Sequence, residues 1–192
     1  MRKILNLLYH LINKYYFYRY NVLIKDDYRI NGILFVRNYG FVNIGNKFKA
    51  SSGKRMNPIG GDTICRIYCR RGAKVSIGNN VGISNSTLHI FNKLTIKDNV
   101  LVGGGCKIWD SDFHSLNYTI RNSDSDFDIN SKEIIIEDNV FIGASSIVLK
   151  GVTIGENSII GAGSVVTKNV PPNEIWAGNP ANFVRKIDLE SL

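Results

Sequence analysis

Ile136, Ile142, Val148, Ile154, Ile160 and Val166 stand six residues apart without a gap, and no other feature constrains the fold of this chain so tightly. A period of six matches neither the 3.6-residue turn of an amphipathic helix nor the heptad of a coiled coil. A second column runs with it. Four residues after the first five of these positions, Val140, Ser146, Val152, Ser158 and Ser164 are small or β-branched, and Gly143, Gly155 and Gly161 directly follow three of the apolar positions. Each unit therefore reads as a short strand plus a corner, with the large aliphatic inward and a small residue or glycine at the turn. Stacking such units buries a continuous aliphatic column that no single unit buries alone. The pattern predicts a parallel β-helix and leaves its hand open.

The same spacing appears earlier, in Ile90, Ile96, Val102 and Ile108, and in Ile77 and Ile83 with one residue inserted before Ile90. Ile30, Val36 and Val42 read as a first, less regular turn. Two segments break the period. Trp109–Glu133 is polar, rich in Asp, Ser and Asn, and too long for a corner; long insertions in repeat arrays commonly carry function. Phe48–Gly61, with Gly53, Pro58, Gly60 and Gly61, reads as a second excursion from the stack.

The ends differ from the middle. Over residues 3–20, Ile4, Leu7, Leu8, Leu11, Tyr15 and Tyr18 fall near helical spacing, with Lys3, Lys14 and Arg19 among them. One reading is a helix capping the solenoid; the other is a basic, aromatic helix lying on a membrane surface. At the far end Pro171-Pro172 stops the repeat, and Asn179-Pro180 predicts an N-cap and first position of a short C-terminal helix carrying Arg185 and Lys186 in its last turn. The expected organisation is an N-terminal cap over 1–28, a β-helix over 29–170 interrupted by 109–133, and a tail with a helix over 171–192.

Composition narrows the function. Lys and Arg number 24 against 16 Asp and Glu, a formal +8 that favours an anionic partner such as a phosphorylated cofactor, an acidic glycan or a membrane face. The basic residues are scattered and no nucleic-acid motif appears, so nucleic acid is not expected as a partner. No stretch reaches a membrane span, and no small-residue cleavage site follows the apolar start. Cys65, Cys69 and Cys106 match no common zinc spacing; they fit free thiols packed in a reduced, cytoplasmic setting, at the inner face of the membrane if the N-terminal helix lies there.

The run I-I-E-D-N-V-F-I-G-A-S-S-I-V-L-K-G-V-T-I-G-E-N-S-I-I-G-A-G-S-V-V-T-K-N-V-P-P, followed by W-A-G-N-P-A, closely resembles the hexapeptide-repeat acyltransferases. Within them it is most similar to the sugar O-acetyltransferase branch that includes the galactoside and maltose enzymes and those that acetylate capsule or lipopolysaccharide sugars, which implies a cell-surface polysaccharide or lipopolysaccharide precursor as acceptor. The resemblance is strong from Ser76 to Ile187, weaker from Arg29 to Val75, and silent on 1–28. It implies an all-β fold, a left-handed parallel β-helix of triangular section, assembled as a homotrimer. It also implies acetyl-CoA as donor, lying in the groove between subunits, with a sugar or glycan hydroxyl as acceptor and no metal required.

Acetyl transfer from a thioester to a hydroxyl needs a base, donors to the tetrahedral oxyanion, and alignment of both substrates. The chain offers three histidines, His10, His89 and His114. His114, in W-D-S-D-F-H-S where the repeat gives way to the long insertion, stands where the resemblance places the catalytic base. Asp112 shares its side in extended chain and is suited to fix its tautomer; Asp110 is a second candidate for that task, and ordinary turn residues are the alternative for both. Asn85, in I-S-N-S, matches the family's transition-state-stabilising asparagine and equally suits a corner. His89 reads as a packed or corner histidine. For the donor, Ala144 and Ala162 match pantetheine-facing positions, although small residues are also what the corners require. Thr167 and Lys168 match residues near the adenine and its phosphates, and Lys168 and Arg185 are suited to pair with phosphate. Asn182 stands where some relatives carry an arginine. Phe141 suits stacking on a sugar or thioester, and Tyr118 and Arg121 are candidates for touching acceptor or cofactor. The competing readings are N-acetylation of an amino sugar, a serine-acetyltransferase-like enzyme, a γ-type carbonic anhydrase, for which the histidine spacing is wrong, and a trimeric scaffold without activity.

Overall fold

The computed structural model describes residues 2–125 and 127–188; the side chains of Arg2 and Lys3, and residues 189–192 of the expected tail, lie outside the described residues. The chain winds into a left-handed β-helix with three sheets whose strands are parallel, apart from one antiparallel strand at the C-terminal edge of the second. Six strands make the first face: Val22–Ile24, Phe41–Ile44, Lys74–Ile77, Lys93–Ile96, Ile134–Ile136 and Thr153–Ile154. The third face also has six: Phe35–Asn38, Arg66–Cys69, Thr87–Ile90, Lys107–Trp109, Ile147–Val148 and Val165–Val166. Between them lies the second face, running from Tyr28–Gly32 through Leu101–Gly104 and Phe141–Ile142 to Ile159–Ile160 and Glu174–Ala177.

Every aliphatic of the regular repeat points inward: Ile136, Ile142, Val148, Ile154, Ile160 and Val166 are each 0% exposed. Burying such a side chain is worth roughly 1.5–3 kcal/mol, so the column supplies the main driving force for winding. The serine column is buried as well, and its hydroxyls donate to backbone carbonyls, Ser146 to Gly161 O at 3.0 Å and Ser158 to Pro171 O at 2.7 Å. Burial without such partners would cost about 1–3 kcal/mol per group.

The corners are chemically distinct. Between the first and second faces the turn residue sits at positive φ and is almost always asparagine: Asn80, Asn99, Asn139, Asn157 and Asn173, at 54–62°. Their side chains bond rung to rung, as Asn80 Nδ2 to Asn99 Oδ1 at 3.0 Å and Asn157 Nδ2 to Asn173 Oδ1 at 2.8 Å. Asparagine tolerates this conformation and offers both donor and acceptor for a ladder. At the second-to-third corner Asn85, Gly105, Ser145 and Gly163 stack at positive φ.

Both interruptions leave from corners, because only there can chain be added without breaking a ladder. Phe48–Ser52 is a regular strand of the second face, paired in register with Tyr28–Gly32, so the first excursion begins at Gly53 and not at Phe48. Its loop is clamped by one side chain. Asn85 Oδ1 accepts from Gly53 N at 2.8 Å, while its Nδ2 donates to Asn57 O at 3.2 Å and Gly61 O at 3.1 Å.

The ends close the stack differently. Helix α1 (Arg2–Arg19) lies across the open first rung with Phe17 buried. Its buried Asn13 bridges backbone, donating to Gly32 O at 3.0 Å and accepting from Leu34 N at 2.9 Å. Strand pairing begins at Val22, inside the segment assigned to the cap. The C-terminal helix expected after Asn179-Pro180 is absent: that peptide bond is cis, and Asn182–Lys186 is a strand running antiparallel to Glu174–Ala177. The last rung exposes an unpaired sheet edge, and a hairpin strand satisfies its N–H and C=O groups where a helix would not. The Asn85 clamp makes a direct prediction. Replacing Asn85 with Ala should raise tryptic cleavage after Lys54 or Arg55 at least tenfold in limited proteolysis, with the rest of the solenoid still resistant; unchanged cleavage would contradict it.

Candidate active site

The third face gives way to the long insertion at Trp109. Ser111 pairs with Ser131 in an antiparallel bridge, Asp112 N donates to Asn130 O at 3.0 Å, and Lys132 N to Asp110 O at 2.9 Å. The insertion is thus zipped at its base. Asp110 is fully buried, and its carboxylate accepts N–H bonds from Phe91 at 2.7 Å and from Asn92 and Lys93 at 2.8 Å. This corrects the expectation that Asp110 serves His114: both oxygens are spent holding the corner of the rung below.

Phe113 follows at φ 62°, a conformation uncommon for a bulky residue. That kink ends the extended alternation that would put Asp112 and His114 on one side. Asp112 instead forms an ion pair with Lys150, both partners about one-fifth exposed. His114 is exposed just beyond the kink. Trp109, Asp112, Phe113, Leu149, Lys150 and Thr167 line a groove of about 450 Å³ beside it. Lys150, Trp109 and Phe113 are parts of this site that the sequence reading missed; the W-D-S-D-F-H-S string offered the two aromatics, but nothing local paired Lys150 with an aspartate 38 residues away.

Helix α2 (Tyr118–Arg121) is a single turn capped by Asn117, whose Oδ1 accepts from Thr119 N at 3.0 Å. Arg121 reaches back and donates to Ser115 O at 2.8 Å. This guanidinium braces the chain next to His114 through Nη1, and it is exposed on the turn that also carries Tyr118. Tyr118 is exposed on the same turn.

The donor-binding candidates flank the end of the third face. Ala144 and Ala162 stack on adjacent rungs at its near corner, where Gly163 N donates to Ala144 O at 2.8 Å. Nothing larger fits behind them: a Cβ on Gly143 would sit 2.5 Å from Ala162 N. Thr167 and Lys168 lie exposed at the far corner. Lys168 Nζ stands 5.2 Å over the Trp176 ring and 3.3 Å from Asn182 Oδ1, an arrangement that keeps the cation beside the hairpin. Arg185 is exposed on that hairpin, opposite Ile175. Small residues line the near corner while Lys168 and Arg185 stand apart from them at the hairpin end of the stack, a layout suited to an extended chain with phosphates at one end.

Two candidates fall elsewhere. Both amide hydrogens of Asn85 are committed to the 53–61 loop, so in this arrangement it has none for an oxyanion. Phe141 is 44% exposed on the second face, between Leu101 and Ile159, away from the face that carries His114. His89 projects outward between Tyr68, Phe91 and Phe113, with ring centroids 5.1–5.3 Å apart. Burial, reinforced by Arg70 and opposed by Asp110, holds its pKa below the usual imidazole value, so it stays neutral near pH 7. Cys65, Cys69 and Cys106 are buried free thiols whose pKa values burial pushes up. Among the described residues no group of three or more His, Cys, Asp or Glu is placed to hold a metal ion.

Residues 133–168 match the family model described as the hexapeptide repeat of succinyl-transferase. An acetyltransferase-like protein of Schizosaccharomyces pombe is 47% identical over 97 residues, 50% of this chain and 45% of that one, so the chain spans less than half of that relative. An acetyltransferase-like protein of Dictyostelium discoideum is 36% identical over 138 residues, covering 68% of this chain and 70% of the relative. A shorter stretch of 58 residues, 30% of this chain and 24% of the relative, is 52% identical to the 2,3,4,5-tetrahydropyridine-2,6-dicarboxylate N-acetyltransferase of Halalkalibacterium halodurans. Among solved structures, a galactoside acetyltransferase in complex with coenzyme A superposes with a TM-score of 0.57 at 30% identity, over 75% of this chain and 66% of that one. Repeat, rung geometry and these similarities together place the chain in the hexapeptide-repeat acetyltransferase family.

Proposed function

We propose that the protein transfers an acetyl group from acetyl-CoA to a hydroxyl of a sugar, with His114 as general base. The observation that carries this reading is the setting of His114: exposed on a kinked, braced loop beside a groove that also contains Thr167, at the end of a face flanked by small residues and Lys168. A neutral imidazole takes the proton as the acceptor oxygen attacks the thioester carbonyl carbon. The tetrahedral adduct then collapses, the C–S bond breaks, and the proton returns from His114 to the departing sulfur. Arg121 and Lys150 hold the loop and Asp112 in place for this step. Asn85 is occupied, so no side chain of this protomer is assigned to the oxyanion.

A homotrimer fits the same reading. Leu101, Phe141, Ile159 and Ile175 form an outward apolar stripe along the second face, suited to cover by a neighbouring subunit that would bring Phe141 towards a His114 loop. N-acetylation of an amine is the second reading, favoured by the similarity to an N-acetyltransferase.

Residues 3–20 support a peripheral membrane contact. On α1, Ile4 is 73% and Tyr18 86% exposed, and Leu7, Leu8, Leu11 and Tyr15 continue their face. The helix carries Lys14 and Arg19 and no acidic residue, and it is not apolar enough to cross a bilayer. An apolar stripe with basic flanks suits the surface of an anionic leaflet.

Replacing His114 with Ala should lower kcat for acetyl transfer by about 10²–10⁴-fold and leave acetyl-CoA affinity within a few-fold; near-normal turnover would overturn the mechanism. The acetyl product should be released by mild alkali, as an ester is, whereas an alkali-stable amide would favour the second reading. In vesicle sedimentation the protein should bind anionic phosphatidylglycerol vesicles in preference to phosphatidylcholine, and Leu7→Glu with Leu11→Glu should abolish that binding. Absence of binding to either vesicle would remove the membrane contact.

A further inference from the structure

The outward column of the third face changes character at the His114 loop. Arg37, Tyr68, His89 and Trp109 stand in register on four successive rungs. The inward neighbours Val36, Ile67, Leu88 and Ile108 are each 0% exposed, so the core is full without these outer side chains. The aromatics make a continuous surface: Tyr68 lies 5.2 Å from His89, His89 5.3 Å from Phe91, and Phe91 5.6 Å from Phe113. Arginines line it. Arg37 stands 5.4 Å from the Phe35 centroid and Arg70 5.0 Å from that of Phe91; both are exposed, and no described ion pair engages either. Rungs about 4.8 Å apart carry the surface roughly 14 Å from Arg37 to Trp109, and it ends under Phe113, the residue before His114.

A cross-strand aromatic stack alone would account for sheet stability. It would not account for guanidinium groups left without carboxylates along its length, nor for the stack ending at the reactive loop. Flat apolar rings beside fixed cations match the faces of pyranose rings carrying acidic groups. We propose that this surface is an acceptor track: it holds an anionic oligosaccharide lengthwise, sugar faces on Tyr68 and Phe91 and carboxylates at Arg37 and Arg70, and presents one hydroxyl past Phe113 to His114. The track rests on the reading of the acceptor as a glycan and assigns it as an acidic chain, not a single neutral sugar.

The test is binding without turnover, by calorimetry with oligogalacturonates, oligosialates and neutral malto-oligosaccharides from dimer to hexamer. At least one acidic series should tighten tenfold or more with length and weaken with added salt, while the neutral series stays weak. Arg37→Gln with Arg70→Gln should lower hexamer affinity at least tenfold, with thermal stability and the mass by light scattering unchanged; Phe91→Leu should weaken it independently. Binding that ignores length or charge, or a double variant that binds as the parent does, overturns the track. A fall in assembly mass in the double variant would also overturn it, by assigning the ladder to subunit packing. The two readings fail separately. Length-dependent binding without acetyl transfer would leave the track and remove the chemistry, and transfer to single sugars without length dependence would do the reverse.

Discussion

Parallel hydrogen bonding between successive rungs governs this molecule. Each strand of a face bonds the strand one turn earlier, as Leu94 to Ile96 pair with Val75 to Ile77 below and with Ile134 to Ile136 above. That pairing fixes the register, and register fixes which side chains face inward. An extra residue in mid-strand would turn the aliphatics beyond it outward, and the register shift between Val102 and Gly104 falls at a strand's end, against the corner. Extra chain therefore leaves at corners, and the two excursions do so at the second and third corners of the triangle. The position of His114 follows from this constraint, since a loop with its base zipped by the Ser111–Ser131 bridge projects from the corner where it starts.

Much of the fold was legible because the repeat is written in side-chain size. Over the regular repeat the buried column is Ile or Val and the column four residues on is Val or Ser, so the period survives in the residues themselves. The asparagine corner was equally present, in Asn99, Asn139 and Asn157, but asparagine is common in ordinary turns and the ladder shows only when rungs are stacked. The C-terminal strand was not legible. Asn179-Pro180 fits a helix start in isolation, and what overrides it is the open edge left by Glu174–Ala177, a property of the finished solenoid.

The candidate site divides along the same line. His114 and the long insertion stood out as a break in the period. The carboxylates around it did not sort themselves, because two aspartates two residues apart look alike in sequence. In the structure Asp110 is buried against three backbone N–H groups and Asp112 is paired with Lys150, and both outcomes depend on contacts with other rungs. Asn85 shows the same limit. It is a corner residue at positive φ whose amide is recruited by the 53–61 loop, and nothing next to it in the chain announces that loop. Local pattern reports what a rung needs; it is silent on what neighbouring rungs lend one another.

If His114 is the base, the break in the third face has to bring it beside the thioester of the donor. A crystal structure of the protein with bound coenzyme A would show whether it does. The cofactor should lie along the Ala144 and Ala162 corner, its sulfur in the groove near Phe113, with a His114 ring nitrogen within about 3.5 Å of the position a reacting oxygen takes beside it. A sulfur lodged elsewhere on the solenoid, with no His114 imidazole from any subunit approaching it, would rule out His114 as the base.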